Sequence, residues 1–179
     1  PRPASSAAVK QLSSQLPYWL QQGLLDNPLS ARLHTEQPEH LFMIECSTDD
    51  VLALHVFLVR LGKALEQANS TGQAVVCGEL GDEIIAYCRQ HSLTTLAHVE
   101  IPALLMWAHQ LRQQNQSISE VWLGNVHTMP PLDTIQRANE VFADCPAAGL
   151  IVPLQVQANN TISAAYALID HRGKLHHFP

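Results

Sequence analysis

One pattern, occurring at least twice, restricts what this chain can fold into: a short apolar run, a polar turn, then an amphipathic run at helical spacing. Leu41-Phe42-Met43-Ile44-Glu45-Cys46 passes through Ser47-Thr48-Asp49-Asp50 into 51–68, and Ala74-Val75-Val76-Cys77 passes through Gly78-Glu79-Leu80-Gly81-Asp82 into 83–90. Strand followed by helix, repeated, predicts an α/β or α+β domain with a mixed central sheet and helices on one or both of its faces. The intervening helices predict parallel pairing of the middle strands, since such crossovers are right-handed and bring the chain back in the same direction.

Ahead of this core, Pro1-Arg2-Pro3-Ala4-Ser5-Ser6 reads as a tail or linker end, with fixed-φ prolines and small polar residues. Val9, Leu12 and Leu16 keep helical spacing up to Pro17, and Tyr18-Trp19-Leu20 with Leu24-Leu25 predicts a second short helix ending near Asn27-Pro28. The expected organisation is thus an N-terminal tail and helical arm over 1–28 and a single α/β domain over 29–179.

Within that domain, residues 31–34 and 41–46 flank the polar segment 35–39 and are expected to pair as a hairpin. Val51, Leu54, Leu58, Leu61 and Leu65 mark a helix, with Ser47 and Asp50 as its capping pair. A short helix carries Ile84, Ile85, Tyr87 and Cys88, a short strand falls within 93–100, and Pro102 opens a helix through Leu111. Residues 121–126 read as a third buried strand, followed by a helix with Leu132, Ile135, Ala138 and Phe142. From Gly149 the pattern turns to β: runs over 150–157, 162–169 and 175–178 predict C-terminal antiparallel strands closing the sheet as a meander.

Composition excludes several classes of partner. Ten Lys and Arg against 16 Asp and Glu give a net charge of -6, and no basic cluster occurs, so duplex nucleic acid is not an expected ligand. No apolar run approaches the length of about 18 residues that a membrane-spanning helix requires, and the start of the chain carries no signal-peptide pattern. Cys46, Cys77, Cys88 and Cys145 are widely spaced among apolar neighbours, without the short pairings of zinc or redox motifs. Reduced, buried thiols and a cytoplasmic location are expected. Asn-x-Ser/Thr triplets at Asn69, Asn115 and Asn159 are read as turn chemistry.

Chemistry in open α/β sheets concentrates beyond the carboxyl ends of the strands. Here those turns bring Asp49, Asp50, Glu79 and Asp82 into question as ligands of Mg²⁺, a hard cation that takes carboxylate oxygens and retains waters. All four also stand at helix starts, where free N–H groups and the macrodipole favour negative charge without any ligand. Gly78 and Gly81 lack the remaining residues of a dinucleotide fingerprint or P-loop. Cys46 with His127, oriented by Asp49 or Asp50, is the one nucleophile and base that strand ends assemble, but acidic neighbours raise a thiol's pKa. His171 with His176 forms at most a partial metal site. No Gly-x-Ser-x-Gly elbow occurs. His55 and His109, beside the apolar stripes of their helices, read as satisfied core or boundary histidines, and Trp122 as core.

The expectation that follows is a non-catalytic protein-interaction or regulatory domain, an accessory subunit or adaptor without a cofactor, whose partner is another protein. The arm supplies the candidate contact surface, with Tyr18, Trp19 and Leu24 as partner-binding residues. The alternatives are a Mg²⁺-dependent enzyme acting on a phosphate-containing substrate through Asp49, Asp50, Glu79 and Asp82, or a small-molecule sensor using the same crevice.

Overall fold

The computed structural model describes residues 17–46, 51–97, 101–126, 131–145, 155–156, 162–164, 166–169 and 175–178. The expected helix before Pro17 and the Ser47/Asp50 cap lie outside them. The chain divides into two compact units, the larger ending at Gln136 and the smaller beginning at Arg137. Among the described residues no helix is long and apolar enough to cross a membrane.

The larger unit opens with α1 (Tyr18–Leu25), which lies against α2 (Val51–Ala68). Between α1 and β1 (His40–Glu45) the chain makes one 3-10 turn over Ala31–Leu33, capped by Ser30, whose Oγ also donates to Glu66 of α2 at 2.7 Å. This close approach needs Gly62, because a Cβ there would stand 2.6 Å from the Ser30 Cβ.

After α2 come β2 (Gly72–Gly78), α3 (Asp82–Gln90), β3 (Thr94–Ala97), α4 (Ile101–Gln114), β4 (Glu120–Asn125) and α5 (Thr134–Asp144). The strands form one sheet in the order β3-β2-β1-β4, every pair parallel. The chain moves outward from β1 to β3, then crosses back through α4 to the far side of β1. With right-handed crossovers, that reversal sends the connecting helix to the opposite face of the sheet.

The two cores follow this winding, because successive strand residues point to opposite faces. Phe42, Ile44, Ala74 and Val76 pack with Leu54, Leu58 and Leu61 of α2 and with Ile84 and Cys88 of α3. Leu41, Met43, Val75 and Cys77 face the other way and pack with Ala108 of α4 and with Ile118. Five of the six β1 residues are buried. A near-continuous apolar run is what a strand covered on both faces requires. At the amino edge, Trp122 Nε1 donates to His40 Nδ1 at 3.2 Å, tying β4 to β1.

Three expectations are corrected. The sheet is parallel throughout rather than mixed. Residues 31–34 do not form a hairpin with β1, whose two edges are taken by β2 and β4; His34 instead makes a single antiparallel bridge to Gln73. Among the described residues no C-terminal strand joins the sheet. β5 (Gln155–Val156) with β6 (Ile162–Ala164), and β7 (Tyr166–Ile169) with β8 (Leu175–Phe178), belong to two-stranded ladders of their own. Apolar alternation marks a segment as strand but does not name its neighbour.

Candidate functional site

The strand order reverses between β1 and β4, and their carboxyl ends are where this architecture places a ligand crevice. Such a crevice opens when the two connections leave the sheet on opposite sides. Here Val126 and Ile135, which bracket the connection after β4, are both buried in the layer that holds α2, the helix following β1. Both chains therefore leave toward the same side. The strand ends are also tied together: Val126 N donates to the Glu45 carbonyl at 3.0 Å, and Asn125 Nδ2 donates to Glu45 Oε2 at 3.1 Å.

At the neighbouring β2 end, Cys46 N donates to the Cys77 carbonyl at 2.8 Å, and Gly78 turns the chain at a φ of +119°. Burial pushes the Cys77 thiol up to about 11, with Glu45 and Cys46 adding to the shift, and burial pushes Cys88 up to about 11 as well. These sulfurs are thiols, not thiolates, at neutral pH. Cys46 is fully buried, and its suggested base His127 lies outside the described residues.

Of the four proposed metal ligands, Asp49 and Asp50 lie outside the described residues. Glu79 and Asp82 are exposed beyond β2, the neighbour of β1. Asp82 and Glu83 occupy the first turn of α3, where the helix dipole accounts for their charge. Among the described residues no three His, Cys, Asp or Glu side chains gather as a metal site. His176 pairs with Leu168 in the β7–β8 ladder, while His171 lies outside the described residues.

The arm residues separate. Tyr18 is 74% exposed, whereas Leu24 lines a cavity of about 270 Å³ against the outer side of α2. The Trp19 side chain lies outside the described residues. Val56, Val59 and Leu132 complete the apolar wall, and His55, Arg60, Lys63 and Asn27 supply the polar groups.

His55 is where the reading of the sequence falls short. It is buried at 1% exposure, as a core histidine would be, but it is only half satisfied. Its Nδ1 lies 2.7 Å from the Tyr87 hydroxyl, and its Nε2 is buried without a hydrogen-bond partner. Burial, and then the His91 charge, lower the His55 pKa; the carbonyls of Asn27 and Leu24 pull weakly the other way. Burial, followed by Cys88, drives the Tyr87 phenol upward, so it keeps its proton. The phenol and Nδ1 share one hydrogen bond, whose direction is set by the imidazole tautomer. His91 completes the cluster, its ring 4.4 Å from that of Tyr87. The one sequence signal was a polar residue within an apolar helical stripe; its partner stands 32 positions away, beyond any local spacing rule.

Compared with protein-family models, curated proteins and solved structures, the chain matches none.

Proposed function

We propose that this chain is a non-catalytic regulatory domain that works by binding another protein, as an accessory subunit or adaptor does. The observation that carries the reading is the exposure of Leu123. Parallel sheets are covered on both faces, yet β4 leaves Leu123 54% exposed, and it points to the face that α4 occupies. On α4 itself Leu105 and Met106 are 45% and 66% exposed. An edge strand with an uncovered apolar residue fits a partner that lays an apolar segment along it. The buried thiols of Cys46, Cys77 and Cys88, none of them in a disulfide, support a reducing, cytoplasmic setting.

The metal-dependent alternative gains no support from the exposed Glu79 and Asp82. The interaction reading is tested by comparing proteins retained from the native lysate by the wild-type chain, by Leu123→Glu and by Met106→Glu, after circular dichroism has confirmed that each variant is folded. Both substitutions fall at exposed positions, so the fold is expected to persist. Stoichiometric partners lost with Leu123→Glu support the proposal; an identical retained set for all three chains sinks it.

A further inference from the structure

We propose that the open edge of β4 is where a second copy of this chain binds. The two β4 strands run antiparallel about a two-fold axis normal to the sheet, with Val121 of each copy opposite Leu123 of the other. This deepens the protein-binding reading, resting on β4 as its contact edge. Backbone direction supplies the first reason. Glu120 N and Val126 N both donate to the β1 side, to the carbonyls of Glu39 and Glu45. Amide direction alternates along a strand, so Trp122 and Gly124 turn inward as well, while the N–H and C=O of Val121 and Leu123 point away from β1. Among the described residues no strand lies on that side. Natural sheets guard such an edge with lysine, proline, a bulge or shortness. The opposite edge, β3, is kept to Thr94–Ala97, whereas β4 holds unbroken register with β1 over Glu120–Asn125 and contains neither lysine nor proline.

The second reason is that the strand complements itself. Opposed residues of an antiparallel pair share a face, and the axis leaves each face where it was, so only residues of equal parity can stand opposite one another. Pairing Val121 with Leu123 satisfies this and places both in hydrogen-bonded positions, where N–H and C=O are exchanged. Val121 packs on the α4 side and Leu123 points to that side, so the exposed Leu123 is covered by Val121 of the second copy, and the reverse, as an isologous contact requires. On the other face Trp122 leans toward β1, stacked on Phe42 with ring centroids 5.7 Å apart and bonded to His40, and so away from the open edge. The third reason is charge. At -6 each, two copies repel unless they meet where charge is absent or balanced. The charged residue of β4 is Glu120; its Oε2 lies 3.2 Å from His40 Nδ1, and the register sets it opposite Gly124 rather than another acid.

The purified full chain is examined by sedimentation equilibrium, and amide exchange at Val121 and Leu123 is followed by NMR. At about 100 μM the wild type is expected to sediment at twice its 19.7 kDa, with both amides protected and the protection falling on dilution. Leu123→Glu, at an exposed position, should weaken association by at least about tenfold, because it sets a carboxylate against Val121 of the second copy. Thr95→Glu adds the same charge at an exposed position on the opposite edge and should change association by less than about twofold. A monomer at that concentration overturns the proposal. So does a dimer that both substitutions affect equally, or protection of both amides in a monomer, which would show the edge covered by this chain's own residues. A monomer whose lysate partners are lost with Leu123→Glu sinks the dimer and keeps the protein-binding reading; a dimer broken by Leu123→Glu, with a retained set that is the same for every variant, does the opposite.

Discussion

Replacing Gly78 with alanine should cost more than any other conservative change at the carboxyl edge of the sheet. At a φ of +119° the backbone lies where side chains are strained, and the added Cβ would stand 2.8 Å from the Cys46 carbonyl oxygen. The strain is worth about 1–3 kcal/mol. The contact adds a comparable amount, because its partner is backbone and relief requires moving the end of β1 against the Cys46–Cys77 hydrogen bond. Together they place Gly78→Ala at about 2–5 kcal/mol. Gly23→Ala is the matched control: inside α1 its Cβ meets nothing within 4 Å, so relief of backbone entropy should stabilise by about 0.5–1 kcal/mol. With a urea dependence of about 2 kcal/mol per molar, the unfolding midpoint should fall by roughly 1–2.5 M for Gly78→Ala and rise by a few tenths for Gly23→Ala. The assay is urea unfolding followed by circular dichroism. A Gly78→Ala midpoint within about 0.3 M of wild type would refute the strain reasoning.

Stability should depend on pH through two histidines, buried His55 and the exposed, partly desolvated His34. Burial, and then the His91 charge, lower both His55 and His34 from the ordinary 6.5, so below that value the unfolded chain takes up protons that the folded one refuses. Stability is therefore fully present above 6.5 and is lost as pH falls from there toward the folded-state values; urea midpoints that stay level or rise over that window contradict it. Tyr87→Phe should cost about 1–3 kcal/mol by leaving His55 Nδ1 buried and unpaired, read as a midpoint shift; a neutral effect would mean that the hydroxyl bond is not formed. Iodoacetamide on the native chain should label exposed Cys145 and spare buried Cys46, Cys77 and Cys88 until urea is added, as counted by mass spectrometry. Native labelling of Cys77 at a rate matching Cys145 would show that its burial is breached.

Where sequence and structure agree, the controlling physics is local. The apolar spacing of Val51 through Leu65 marks α2 because a helix repeats its core face every three to four residues, and the structure bounds that helix at Val51–Ala68. The run at 41–44 is buried on both faces, as its lack of polar alternation implies. The hairpin expected over 31–46 failed for a reason no local rule contains: β1 is central, and both its edges are occupied by strands that begin 32 and 80 residues after it. The candidate site divides in the same way. Asp82 belongs to the first turn of α3, as its position suggested, whereas the half-satisfied state of His55 depends on Tyr87 arriving from another helix.

The sequence by itself therefore determined β1, α2, β2, α3 and β4 as strands and helices, and which of their faces are apolar, because backbone period and side-chain burial are read from residues a few positions apart. Only the tertiary structure decided that β4 lies beside β1, that the chain after β4 returns to the α2 side, and that His55 meets Tyr87 of another helix. Those outcomes arise from packing among residues distant in the chain, where the handedness of crossovers and the filling of space choose one arrangement among several that the same local pattern permits.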